Sequence, residues 1–212
     1  MSRSENSSNT KAVLITGGAR RIGAAITRLL HATGMDVIVH YRNSADAALA
    51  LQEELHAHRP GSVTLCQADL TNSGACETLT QCAHQAFGRL DALINNASAF
   101  YPTPVDRATE AEWEDLFAVN LKAPFFLAQA CAPMLAMQSG AIINLADIYA
   151  KRPLAQHPIQ YSAMVHYQDE WNRYSLRYPF FHKFSLLQEL MFQIHLYRIV
   201  YLSFYLQSLQ FQ

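Results

Sequence analysis

Thr16-Gly17-Gly18-Ala19-Arg20-Arg21-Ile22-Gly23 follows the apolar stretch Ala12–Ile15 and runs into a helical pattern over residues 24–30. A strand that passes through glycines into a helix start gathers backbone N–H groups and the positive end of the helix dipole at one point, where a pyrophosphate is stabilised. Gly17 suits the tight turn and Gly23 a close approach of helix and sheet. Gly17, Arg21, Ile22 and Gly23 are therefore the first candidate contacts of a dinucleotide. Ordinary strand-to-helix turns also carry glycines, so the segments downstream have to decide between the two.

From residue 12 to 145, short apolar runs alternate with amphipathic stretches, the pattern of βα units around a buried parallel sheet. Strands are predicted over residues 12–16, 36–41, 63–67, 91–94 and 141–145. Helices are predicted over 21–33, 45–58, 73–87 and 110–137, the last broken around Pro124. Right-handed crossovers bring every strand's C-terminal end to one edge, where ligands bind.

Composition narrows the classes further. A chain of 212 residues with 50% hydrophobic content can bury one core and is expected to form one domain. A formal charge of -1 leaves no electrostatic footprint for nucleic acid. Cys66, Cys76, Cys82 and Cys131 show no C-x-x-C spacing and read as reduced thiols of a cytoplasmic protein. His56 and His58 are two apart and would not share a helix face, so no metal is expected. The polar, Ser/Asn-rich start over residues 1–10 reads as a disordered tail, neither a secretion signal nor a membrane anchor.

The end of the second strand selects the coenzyme. An acidic residue about 20 positions beyond the glycines binds the adenosine ribose of NAD, whereas a basic one accommodates the 2′-phosphate of NADP. Here stand His40, Tyr41, Arg42, Asn43 and Ser44, with no acid. The Arg42 guanidinium can clamp a phosphate and the Ser44 hydroxyl can add to it, so NADP(H) is favoured; the alternative is a solvated Arg42.

These residues, together with Asp69-Leu70, Asn95-Asn96-Ala97-Ser98, Asn120 and Tyr161, resemble the short-chain dehydrogenase/reductases in order and spacing, over about residues 11–164. Within that family the chain is most similar to the pteridine reductases. Arg21 stands where most relatives have a middle glycine, Ser98 where glycine follows Asn-Asn-Ala, and Asp147 where a catalytic serine is usual. Residues 100–104 (Phe-Tyr-Pro-Thr-Pro) and the His40-Tyr41 pair point the same way.

The resemblance implies a Rossmann-like doubly wound α/β domain that reduces a small pterin or folate with NADPH. It assigns Asn96, Ala97 and Ser98 to the nicotinamide side of the cleft and Asp69 and Leu70 to the adenine. Arg21 would meet both cofactor phosphate and substrate. Such a reduction needs a flat apolar wall and a positioned acid. Phe100 would be the wall, unless it is a core aromatic, and Ser98 would lie beside the substrate. Asp147 would pass a proton through the Tyr161 hydroxyl, unless it is a solvated loop residue. Asn120 would hold a helix distortion and a relay water, the dull alternative being an exposed helix Asn; Asp69 has the alternative of a turn former before Thr71-Asn72.

Two features depart from the family. Its Tyr-x-x-x-Lys pattern places a lysine one helical turn beyond the tyrosine, where the ammonium binds ribose and assists the phenol. Here Tyr161 is followed at that place by Val165, and His166 points about 100° away. Beyond Met164 the composition also breaks: residues 165–212 hold no Gly, Ala, Thr or Cys and are rich in aromatics. Residues 11–164 are thus expected to form the NADP-binding domain, and 165–212 an atypical segment in place of the missing C-terminal units. A frameshifted, alternatively spliced or rearranged reductase would give this break; so would a divergent evolved segment. Three readings follow: an impaired reductase, a non-catalytic NADP(H)-binding or interaction protein, or a truncated inactive product. Relatives commonly form homo-oligomers through the helix that starts near Tyr161, a surface the altered tail would change.

Overall fold

In the computed structural model, residues 10–145 and 153–175 are described, with the side chains of the last helix described as far as Tyr167. The elements are β1 (Ala12–Ile15), α1 (Arg21–Ala32), β2 (Asp36–Tyr41), α2 (Ala45–His58), β3 (Val63–Gln67), α3 (Ala75–Phe87), β4 (Ala92–Asn95), α4 (Glu110–Phe117), a π-helical turn (Ala118–Lys122), α5 (Ala123–Met137), β5 (Ala141–Asn144) and α6 (Pro158–Ser175). The five strands form one parallel sheet in the order β3-β2-β1-β4-β5. This is the Rossmann-like doubly wound arrangement expected from the alternating pattern. The strand order reverses beside β1, so the crevice between the ends of β1 and β4 is the place for a ligand.

The strands read as unbroken apolar runs because both faces are covered. Alternate residues point to opposite faces. Val13, Ile15, Val37, Val39, Val63 and Ile94 pack with Ile26 and Leu30 of α1 and Leu51 and Leu55 of α2. Leu14, Ile38, Cys66, Leu93 and Ile142 pack on the other side with Leu79 and Ala83 of α3 and Leu127, Cys131 and Leu135 of α5.

At the N-terminal edge the buried carboxylates are paired. Arg59 binds Asp36 at 2.6 Å and also donates to the Met35 carbonyl. Asp91 accepts the Ala12 N–H at 2.8 Å while Arg89 holds it with Nε at 2.9 Å and Nη2 at 2.6 Å. These pairs satisfy charges that burial would otherwise make costly.

The predicted break in the 110–137 helix falls at Ala118–Lys122, just ahead of Pro124. Proline has no N–H to offer the carbonyl four residues back, that of Asn120, and the helix widens there. All four cysteines are free. Among the described residues no helix is long and apolar enough to cross a membrane, and no His/Cys/Asp/Glu group is arranged to hold a metal ion.

Candidate functional site

The turn after β1 is built from backbone. Gly17 has φ +60°, the left-handed region that costs glycine nothing. A Cβ on Gly23 would fall inside the Gly17 carbonyl oxygen and 2.7 Å from Asn96 Nδ2, so only glycine lets α1 come so near the turn. Thr27 Oγ1 donates to the Gly18 carbonyl at 3.1 Å and fixes the turn from the helix side. Arg20 caps α1 without a side-chain hydrogen bond, and no acidic residue stands in its first turn. The start of α1 thus has no side-chain cap, and two exposed arginines, Arg20 and Arg21, stand at it. Arg21 has φ +48°, a conformation glycine adopts at no cost and an L-residue adopts at roughly 1 kcal/mol. Ile22 is exposed next to it.

His40 does something other than touch a ligand. It is buried, and its Nδ1 accepts the Gly17 N–H at 3.1 Å. That leaves the proton on Nε2, which donates to the Ala68 carbonyl at 3.1 Å. The ring thus ties the glycine turn to the end of β3, and the Gly18 N–H donates to the His40 carbonyl at 3.0 Å. Burial pushes the His40 pKa down, against the weaker opposing pull of the Ala68 carbonyl and Asp69. A neutral ring is what an acceptor Nδ1 requires.

Beyond β2, Tyr41 is half-buried against the core, whereas Arg42 and Asn43 are exposed. Arg42 Nε lies 2.9 Å from Asp69 Oδ2, and the other carboxyl oxygen accepts the Thr71 N–H at 3.0 Å and the Thr71 hydroxyl at 2.8 Å. Burial alone would raise the Asp69 pKa; Thr71 and Arg42 outweigh it and hold the carboxyl below its ordinary value. Asp69 is therefore both the turn former and the partner of Arg42. Leu70 packs on the α3/α5 side of the core. Ser44 stands at the start of α2 with no side-chain capping bond.

The β1 and β4 ends are stapled together. Thr16 Oγ1 accepts the N–H groups of Asn96 at 2.9 Å and Ala97 at 3.0 Å, and Asn96 Nδ2 donates to the carbonyls of Thr16 at 2.8 Å and Gly17 at 3.1 Å. Asn95 Nδ2 donates to Asn144 Oδ1 at 2.8 Å, linking β4 to β5. Asn96 thus shapes the turn from behind, while Ser98 is exposed at the mouth.

Asn120 is buried in the π-helical turn, not exposed on a helix. Its Oδ1 accepts the Ala99 N–H at 3.0 Å; its Nδ2 donates to the Ala99 carbonyl at 2.9 Å and to Gln160 Oε1 at 2.7 Å. One side chain therefore joins the loop after β4 to the residue just before Tyr161. Tyr161 is half-buried on α6, and Val165 lies one turn beyond it on the same face. His166 is exposed, with Nδ1 2.8 Å from the Ser162 carbonyl and its ring against Phe117, so it does not take the place of the absent lysine. Phe100 is 48% exposed, which removes the core-aromatic alternative. Asp147 lies outside the described residues.

The described residues offer an uncapped helix start at α1, a half-exposed aromatic ring at Phe100 and a half-buried tyrosine at position 161. Thr16 and Gln160 join these residues without having been singled out in the sequence. Thr16 is legible there as the polar residue that ends the first apolar run. Gln160 carries no local signal.

The short chain dehydrogenase family model matches residues 11–164. The chain is similar to pteridine reductase 1 of Leishmania tarentolae, 36% identical over 179 residues, covering 66% of this chain and 62% of that protein. It is also similar to the 3-oxoacyl-(acyl-carrier-protein) reductase FabG of Staphylococcus aureus, 36% identical over 140 residues, covering 66% of this chain and 56% of the relative. The same enzyme of Staphylococcus epidermidis is 37% identical over 139 residues, covering 65% and 57%. The chain spans about three-fifths of the length of these curated relatives.

Proposed function

The chain belongs to the short-chain dehydrogenase family, and from that premise we propose that it is an NADPH-dependent reductase of small dihydropterin or dihydrofolate substrates, slowed by the loss of the active-site lysine. The observation that carries the reading is the cradle around Gly23, where the missing Cβ lets α1 close on the glycine turn and its uncapped start offers N–H donors to a pyrophosphate. Bound NADPH would supply the hydride. Around it, Gly17, Ile22, Gly23, Asn96 and Ala97 would line the dinucleotide, with His40 holding the turn in shape. Arg42, Asn43 and Ser44 would receive the 2′-phosphate, Arg42 exchanging Asp69 for it, and Asp69 and Leu70 would border the adenine.

On the substrate side, Phe100 would stack one face of the ring, Arg21 and Ser98 would meet its polar edge, and Asp147 and Tyr161 would deliver the proton. Arg21 would donate to the acceptors of a polar, electron-rich ring, which an acyl chain does not offer. Asn120 would hold the loop and α6 at the spacing this transfer needs. The cytoplasm is the proposed location and a homo-oligomer the proposed assembly.

Purified full chain incubated with NADPH and 7,8-dihydrobiopterin or dihydrofolate should oxidise the coenzyme slowly. Val165→Lys should raise that rate up to ~100-fold, the low end of what general acid–base assistance supplies. No NADPH oxidation by either protein with either substrate, at saturating concentrations, would overturn the proposal. NADPH binding without turnover would instead favour a coenzyme-binding protein.

A further inference from the structure

The loop after β4 and the start of α6 are fastened at three points. Asn120 bridges Ala99 and Gln160. The Thr103 N–H donates to the Gln156 carbonyl at 2.7 Å. The third point is aromatic: the Phe100 ring stacks on the His157 imidazole with centroids 4.6 Å apart and planes 14° from parallel. His157 is only 8% exposed, and its carbonyl accepts the Tyr161 N–H at 3.0 Å, closing the first turn of α6.

His157 therefore touches both the aromatic wall and the helix that carries the phenol. A half-exposed phenylalanine at a loop would ordinarily sample several rotamers, and each must be abandoned when a ligand stacks on it. A buried ring lying parallel against one face removes that freedom in advance.

We propose that His157 is a positioning residue for substrate: it holds the Phe100 ring at a fixed orientation to the start of α6, so that a flat heteroaromatic ring stacks at a set distance from Tyr161. The proposal rests on the reading of Phe100 as the substrate wall. It makes His157 a determinant of affinity for planar bicyclic substrates, with no part in coenzyme binding. Aromaticity at position 157 is what matters, since the stack uses the face of the ring.

Titration of 7,8-dihydrobiopterin into the NADPH-loaded full chain tests it. His157→Ala should weaken dihydrobiopterin binding ~10-fold, His157→Phe should stay within about twofold of the parent, and the NADPH Kd should stay within about twofold in both. Equal dihydrobiopterin affinity in parent and His157→Ala, or a His157→Phe chain as weak as His157→Ala, overturns the proposal. A second reading needs no substrate: 4-fluorophenylalanine placed at position 100 should give a narrow fluorine resonance in the parent and in His157→Phe, and a shifted or broadened one in His157→Ala. Should the parent bind no dihydrobiopterin, the pterin assignment falls, while the fluorine spectrum still decides whether His157 fixes the ring. An unchanged spectrum in His157→Ala overturns that part.

Discussion

The two halves of the cleft are built in opposite ways. The nucleotide half, from β1 through α1 to β2, is made of glycine and backbone, with contacts set by neighbours a few residues apart: Gly17 against Gly23, Thr27 on Gly18. The catalytic half, from the end of β4 to α6, is made by side chains reaching across the chain, such as Asn120 to Gln160 over 40 positions. Long-range side chains enter the first half as well, His40 crossing from β2 to the turn and to Ala68 and Asn96 bracing the turn from the end of β4. The lesson is that one half is shaped by what is absent, a Cβ, and the other by what is present, an amide with its donors and acceptor satisfied.

Breaking the first half should give the largest effect. Gly23→Ala places a methyl against the Gly17 carbonyl, backbone that cannot swing away as the neighbouring Asn96 side chain could. Overpacking of this kind costs about 1–3 kcal/mol of stability. NADPH affinity should fall roughly 100-fold, equivalent to about 2.7 kcal/mol, measured by fluorescence titration. Unchanged affinity would show that the cradle is not the coenzyme site.

The second half breaks differently. Asn120→Ala removes three hydrogen bonds at a buried site, each worth about 1 kcal/mol, and should lower stability by about 3 kcal/mol in urea denaturation. Turnover should drop at least ~10-fold while NADPH affinity stays within about twofold. A parallel loss of coenzyme affinity would mean that the two halves are one mechanical unit.

A smaller effect sharpens the coenzyme choice. Arg42→Ala should weaken NADPH about tenfold, about 1.4 kcal/mol, and leave NADH unchanged, since only the former carries the extra phosphate. The difference should shrink with added salt because Arg42 is exposed. Equal weakening of both coenzymes would place Arg42 away from the 2′-phosphate.

The smallest effect is a pH dependence in the first half. His40 is held neutral with its folded pKa below the ordinary value, chiefly by burial, and His31 is lowered for the same first reason. In each case the unfolded chain takes up the proton first as pH falls. The stability these rings contribute is thus full above about pH 6.5 and is lost as pH drops through their lower folded values. Tm should fall between pH 7.5 and pH 5.5, and His40→Asn should flatten part of that slope, His31 keeping the rest. An unaltered slope in His40→Asn would place the titration elsewhere.

The sheet was legible because a parallel strand buried on both faces is an apolar run, and β1, β2, β3 and β5 start where such runs start. The break in the long helix was legible through Pro124, though its position at Ala118–Lys122 follows from the carbonyl that proline leaves without a donor. His40 was placed beside the coenzyme by its position at the end of the second strand. Nothing local tells that its side chain turns inward, because that depends on where Gly17 and Ala68 come to lie.

By itself the sequence determined the layered α/β architecture, the glycine turn and the basic end of β2, all properties of residues close together along the chain. Only the tertiary structure decided that Asn120 is a buried clamp, that Arg42 is paired with Asp69, that Asn96 and Thr16 staple two strands, and that His157 lies under Phe100. These contacts join segments tens of residues apart. Local periodicity and propensity hold no information on which polar side chain meets which backbone group once the strands are brought side by side.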